Sequence, residues 1–251
     1  MSTSMGLLDE PISFGSLVDA CRKYDKSKAY KRYNESLDCF RAFVGIDIAA
    51  PESQKHLDLS REEHCEALID SFLNPWHARQ PNPLLSPNPK DDEETVVRKT
   101  ERNARLIAGL VGWWDETREV RRRVPIDLRL SQATDADLDP IARPFADLCS
   151  IDTGDEAGYV HTFSNVAASK TLYVWRPRLF MAWDKAIKRE CWIPQVGSAF
   201  HFLQFHKKVR IKLQALEKET SDLERCISEA TGRFCAGAEA LNKYLFVKSR
   251  K

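Results

Sequence analysis

Between residues 75 and 92 the chain carries five prolines, at 75, 81, 83, 87 and 89, followed by Asp91 and Asp92. Proline lacks a backbone donor and its ring blocks the preceding turn, so no helix or central strand runs through such a stretch. It reads as an exposed loop with little to bury. The parts on either side are thus separated along the chain and must find each other by tertiary packing.

On both sides, apolar residues recur at helical spacing. Ser16 reads as the N-cap of an amphipathic helix that opens at Leu17. A second helix, Glu35 to Phe43, carries Leu37, Phe40 and Phe43 on one face, with Gly45 as its stop. Ser60-Arg61-Glu62-Glu63 has the form of a capping box. It precedes a stripe of Cys65, Leu68, Ile69, Phe72 and Leu73 that ends at Asn74-Pro75.

Beyond the prolines, acidic residues 91–94 suit the start of a long helix striped by Val96, Val97, Thr100, Ala104, Ile107, Leu110, Val111 and Trp114. Arg121-Arg122-Arg123, just before Pro125, suit its end. Ile126 to Leu130 alternates in period two and is a candidate strand without a visible partner. Residues 137–149 predict short helical turns, and Thr153-Gly154-Asp155 with Gly158 predicts a turn. The last third predicts three helices. One runs from Ser198 to Thr220, a second opens at a capping box, Ser221 to Glu224, and ends at Thr231-Gly232, and a third spans Arg233 to Val247. The expected fold is all-α: a single helical domain over residues 1–251, divisible into two lobes joined through the loop 75–92.

With 251 residues, 43% of them hydrophobic and 30% charged, the chain can bury a core without staples. Its longest apolar run, Leu106 to Trp114, is far short of the roughly 20 residues of a membrane span. Met1 to Met5 has neither a basic start nor an apolar stretch, so no secretory leader is expected. Seven cysteines, an odd number without Cys-x-x-Cys spacing, argue for buried reduced thiols and an intracellular location. None of the six histidines forms His-Glu-x-x-His, and no glycine-rich phosphate loop occurs, so neither a metal nor a cofactor is expected.

The charge is unevenly spread. Residues 170–251 hold 17 Lys/Arg against 8 Asp/Glu, a net +9, although the whole chain is only +1. Two readings follow: a basic face for nucleic acid, or a basic part that packs against an acidic one.

Residues 164–187 stand apart. A buried helix from Asn165 to Trp175 is followed by the breaker Pro177 and an apolar plug, Leu179-Phe180. Asp184 then caps a new helix. This segment resembles the helix–hairpin–helix DNA glycosylase superfamily. There a glycine-rich hairpin precedes a lysine on a helix, and an aspartate opens a later helix. Ser169-Lys170-Thr171 matches the lysine element, and Trp183-Asp184-Lys185-Ala186-Ile187 the aspartate element. The segment is also similar to a group of bacterial and fungal proteins with the pattern Ser-Lys-x-Leu-His-Phe, Pro-x-Leu-Phe and Trp-Asp, with Tyr173 in place of the histidine. Val166 and Ala168 stand where the hairpin glycines would be, so the glycosylase-like core is a degenerate one.

The resemblance implies Lys170 as nucleophile and Asp184 as the carboxylate that stabilises developing positive charge. It implies a flipped base held by Trp175, Trp183 and Tyr173. The residues taken alone allow Asp184 as a cap, Lys170 as an ion-pair partner and the aromatics as core. The functional expectation is a nucleic-acid-associated helical protein related to DNA glycosylases, with retention or loss of their activity left open by the sequence. A helical scaffold with no nucleic-acid role and an active glycosylase or lyase are the alternatives.

Overall fold

In the computed structural model, which describes residues 6–50, 57–76, 89–156, 159–194 and 197–250, Ser13 rather than Ser16 opens the first helix. The Ser13 hydroxyl accepts from the Ser16 amide at 3.3 Å. Helix α1 (Phe14–Lys26) buries Leu17, Val18, Cys21 and Tyr24. One extended residue, Ser27, separates it from α2 (Lys28–Val44), which starts well before Glu35 and ends where predicted, on Gly45 at φ 80°.

The capping box at Ser60 does not form. The Ser60 hydroxyl donates to Asp58 at 2.6 Å, Glu63 pairs with Arg61, and α3 (Glu62–Ala67) starts without a side-chain cap. Asn74-Pro75 does not end the helix either. A π-helical turn (Leu68–Leu73) leads into α4 (Asn74–Trp76). The wider turn sets Leu68, Ile69, Phe72 and Leu73 all inward. The middle of the proline-rich segment, residues 77–88, and Met1 to Met5 lie outside the described residues.

Asp92 caps α5 (Glu93–Glu116), accepting from Thr95 at 2.8 Å. The arginine triplet does not close this helix. The Thr117 hydroxyl turns back onto the Trp113 carbonyl at 2.7 Å, and Arg118–Arg123 form a separate helix, α6. Residues 126–130 are turn rather than strand; the Leu130 amide donates to the Arg178 carbonyl at 2.9 Å. Helix α7 (Asp135–Leu138), a 3-10 turn (Asp139–Ile141) and α8 (Ala142–Ser150) follow. Where Thr153-Gly154-Asp155 predicts a turn there is an antiparallel strand pair, β1 (Asp152–Glu156) on β2 (Tyr159–Thr162); Gly158 lies outside the described residues.

The remaining elements are α9 (Asn165–Trp175), α10 (Lys185–Glu190), α11 (Ala199–Glu219), α12 (Leu223–Thr231) and α13 (Gly237–Lys248). Two boundaries differ from expectation. Asp222, not Ser221, caps α12, and α13 starts at Gly237 rather than Arg233. The chain is thus mostly helical. Among the described residues no helix is long and apolar enough to cross a membrane.

One contiguous apolar cluster takes side chains from both sides of the proline-rich segment, and α1 packs along α13. Phe40, Phe72 and Tyr173 meet across α2, the π turn and α9. All seven cysteines are free, but only Cys21, Cys65 and Cys235 are buried and Cys39 is exposed. Its neighbour Phe40 is fully buried. One residue along a helix turns the side chain by about 100°, so an apolar neighbour in sequence says little about burial.

Candidate functional site

Helix α9 has no solvent face: every residue from Ala167 to Trp175 is buried. Ser164 caps it, accepting from Ala167 at 3.1 Å, and the helix ends just before Pro177. A helix buried all round sits inside a core, and here it carries one lysine into that core. The chain then returns across α9. The Met181 amide donates to His206 Nε2 at 3.0 Å, and the Trp183 amide donates to Ser169 Oγ at 2.9 Å. With Nε2 accepting, Nδ1 carries the proton and donates to the Phe202 carbonyl at 2.8 Å. His206 is neutral, since burial lowers its pKa to about 4.

These bonds bring Asp184 beside Lys170. Asp184 caps α10 as expected, its Oδ1 accepting from the Ile187 amide at 2.6 Å, and its Oδ2 faces Arg250 at 3.5 Å. Lys170 is 2% exposed. Burial pulls its pKa down to about 7, against the opposing charge of Asp184 and helped by that of Arg250. A lysine in this state is chemically a nucleophile. Its access is another matter, because the three aromatics assigned to a base pocket are core residues. Trp175 stacks on Phe180, Trp183 meets Phe145, Phe202 and Phe205, and Tyr173 packs toward Phe72. Val166 and Ala168 are helical residues of α9, so no hairpin turn is made there.

Reading the sequence missed a second cluster. Arg41 of α2 donates to Glu239 Oε2 at 3.1 Å and to the Tyr173 hydroxyl at 3.2 Å. Lys243, one turn along α13 from Glu239, stands 3.6 Å from Glu239 Oε1 and donates to Asp25 at 2.9 Å. Burial alone would raise the Glu239 pKa, but Arg41 and Lys243 outweigh it and hold it at about 2. Burial disfavours the Lys243 cation too, yet the charges around it, Glu239 and Asp25 among them, hold its pKa up. A cavity of about 20 Å³ adjoins this network, lined by Tyr24, Asn34, Tyr173, Glu239, Asn242 and Lys243. That is room for about one water molecule. The one sequence signal is the Glu239/Lys243 pair at i,i+4 on a mostly apolar helix.

No protein-family model, curated protein or solved structure matches this chain.

The charge asymmetry has a geometric counterpart. Basic residues of the last third pair with acids of the earlier part: Lys208 with Asp9 at 3.2 Å, Lys207 with Asp139 at 2.8 Å and Arg210 with Asp135 at 2.7 Å. Arg233 pairs with Asp38, and Lys243 with Asp25. On α10, Arg189 pairs with Glu190, while Lys188 is buried and donates to Asn165 at 3.1 Å.

Proposed function

We propose that this protein works by binding, as a helical interaction protein, and that Lys170 is enclosed in its core and Asp184 caps α10 instead of the two cleaving a glycosidic bond. The observation that carries this reading is the enclosure of Lys170. Its amine has the nucleophile's proton affinity, but it lies on a helix with no solvent face. Asp184 is already spent on the α10 amides and on Arg250. The ion pairs between the basic third and the acidic part lend further support, because they use up charge that a polyanion would otherwise meet.

The test is borohydride trapping on abasic and base-damaged DNA duplexes. A lysine that attacks the sugar passes through an imine, which borohydride converts into a stable protein–DNA adduct. The expected result is no adduct with the wild-type chain. An adduct that disappears in Lys170→Ala, with the variant still folded, would overturn the proposal.

Association with nucleic acid without chemistry is the second reading. The feature that favours it is a pair of arginines each stacked on a tryptophan, Arg121 over Trp114 and Arg176 over Trp175. Under that reading DNA or RNA binding should weaken steeply as salt rises, through counterion release. No binding at low salt would leave the interaction protein.

A further inference from the structure

Two basic stretches far apart in the chain meet at one corner of the fold. Residues 22–32 hold Arg22, Lys23, Lys26, Lys28, Lys31 and Arg32 against a single acid, Asp25. Residues 243–250 hold Lys243, Lys248 and Arg250 and no acid. An aromatic cluster joins the two. Tyr30 stacks on Tyr24 with ring centres 4.9 Å apart, and Phe246 of α13 meets Tyr24 at 5.5 Å, Tyr30 at 5.0 Å and Tyr33 at 6.3 Å. Asp25 is already engaged within the joint, accepting from Lys243 at 2.9 Å and from Asn34 at 3.3 Å.

The rim of the corner is cationic. The Arg250 guanidinium lies 4.1 Å over the Phe246 ring, and that of Arg32 lies 5.6 Å from the centre of the Tyr33 ring. Arg32 also donates to the Pro75 carbonyl at 3.0 Å, and Arg250 faces Asp184 at 3.5 Å. With five N–H donors each, both have more to give. Lys26 and Lys28 are exposed on either side of Ser27, the single residue between α1 and α2, and neither makes an ion pair among the described residues. The ion pairs that neutralise the last third leave them out. Helix α2 moreover opens on Lys28 with no acid in its first turn and no side-chain cap from Ser27. A cation there opposes the positive end of the helix dipole, a repulsion that a bound anion offsets.

We propose that this corner, with Lys26, Lys28, Arg32 and Arg250 set around the ring cluster, is a sequence-independent contact surface for the phosphate backbone of a nucleic acid. It rests on the nucleic-acid reading above and assigns the contact to residues other than Arg121 and Arg176. Fixed cations along one edge match a row of phosphates, and their affinity needs no base contact. Membranes and protein partners take up exposed apolar side chains, and none of the large ones exposed among the described residues lies in these two stretches. The rings pack on one another and are at least half-buried, which leaves the phosphates rather than the bases to be held. Single strands and duplexes should therefore both bind.

The experiment is fluorescence anisotropy of the full chain with a labelled DNA single strand and its duplex over a range of salt, beside phosphatidylserine vesicles and a polyglutamate competitor. Both DNAs should bind at low salt, whatever their base sequence. The double variant Lys26→Gln/Lys28→Gln should weaken both about tenfold and lower the slope of log affinity against log salt by about 2. Arg32→Gln should add to the loss. Lys26→Arg/Lys28→Arg should bind like wild type, and so should Lys218→Gln, which removes an exposed cation from α11. Circular dichroism melts confirm that each variant is folded. No binding of either DNA at low salt would overturn the nucleic-acid reading and this surface with it. DNA binding that keeps its affinity and salt slope in Lys26→Gln/Lys28→Gln would overturn the surface alone. Attachment to vesicles without DNA binding, or displacement of DNA by polyglutamate at equal charge, would overturn the choice of partner.

Discussion

Replacing Lys170 by methionine should stabilise this protein, and the gain should depend on pH. The unfolded lysine holds its proton up to about pH 10.5, the folded one only to about pH 7. Between those values the unfolded state binds more protons, so wild-type stability rises with pH across the window. The destabilisation is complete below pH 7 and is relieved as pH climbs toward 10.5. Methionine has nearly the same length, fills the space on α9 and carries no charge to desolvate. At 2% exposure solvent screens little of the effect. From linkage, the advantage of the variant should shrink by roughly 3 kcal/mol between about pH 7 and pH 9.5. Asp184 opposes part of the penalty, and its loss of a partner is already contained in the net shift. Urea unfolding of both proteins at the two pH values, followed by far-UV circular dichroism, gives the difference directly. Other titrating groups cancel in the comparison. A gap equal at both pH values, or a variant less stable than wild type throughout, would refute the account of Lys170 as a desolvated core cation.

Asp184→Ala should cost about 0.5–2 kcal/mol through loss of the α10 cap, and Asp184→Asn less, since asparagine caps nearly as well; denaturant melts give the order. Glu239→Ala should cost about 3–5 kcal/mol, because it leaves Arg41 buried without its carboxylate and Lys243 with Asp25 alone. Glu239 is held down to about 2, so its stabilisation is present above the unfolded carboxylate value of 4.5 and is lost as pH falls toward 2. Glu239→Gln should therefore flatten the acid limb of stability against pH. A Cβ on Gly109 would come within 2.5 Å of Ile151 Cγ2, so Gly109→Ala should cost about 1–3 kcal/mol. Adding Ile151→Ala to that variant should recover part of the loss, read as a positive coupling in thermal melts.

Local chemistry was legible where it acts within one turn. Asn165 to Trp175, the break at Pro177 and the Asp184 cap appear as predicted, because a capping oxygen, a proline ring and a helix amide interact over three or four residues. The same logic failed where two local solutions compete. The Ser60 hydroxyl can serve a helix amide or a nearby carboxylate, and it bonds Asp58, two residues back. Ser16 has the chemistry of a cap, but the helix opens three residues earlier, on Ser13. The paired strands 152–156 and 159–162 carry no strong alternation, and Thr153-Gly154-Asp155 by itself points only to a turn.

By itself the sequence determined a mostly helical chain, its central buried helix and the residues that start and stop that helix. Tertiary structure decided what the charges do. Arg41 meets Glu239 across 198 positions, and Lys243 meets Asp25 across 218, distances over which no periodicity carries information. Lys170 reads the same in sequence whether its helix lines a cleft or fills a core. Burial is a property of everything packed around a side chain, and for Lys170 that surround sets both its proton affinity and its access.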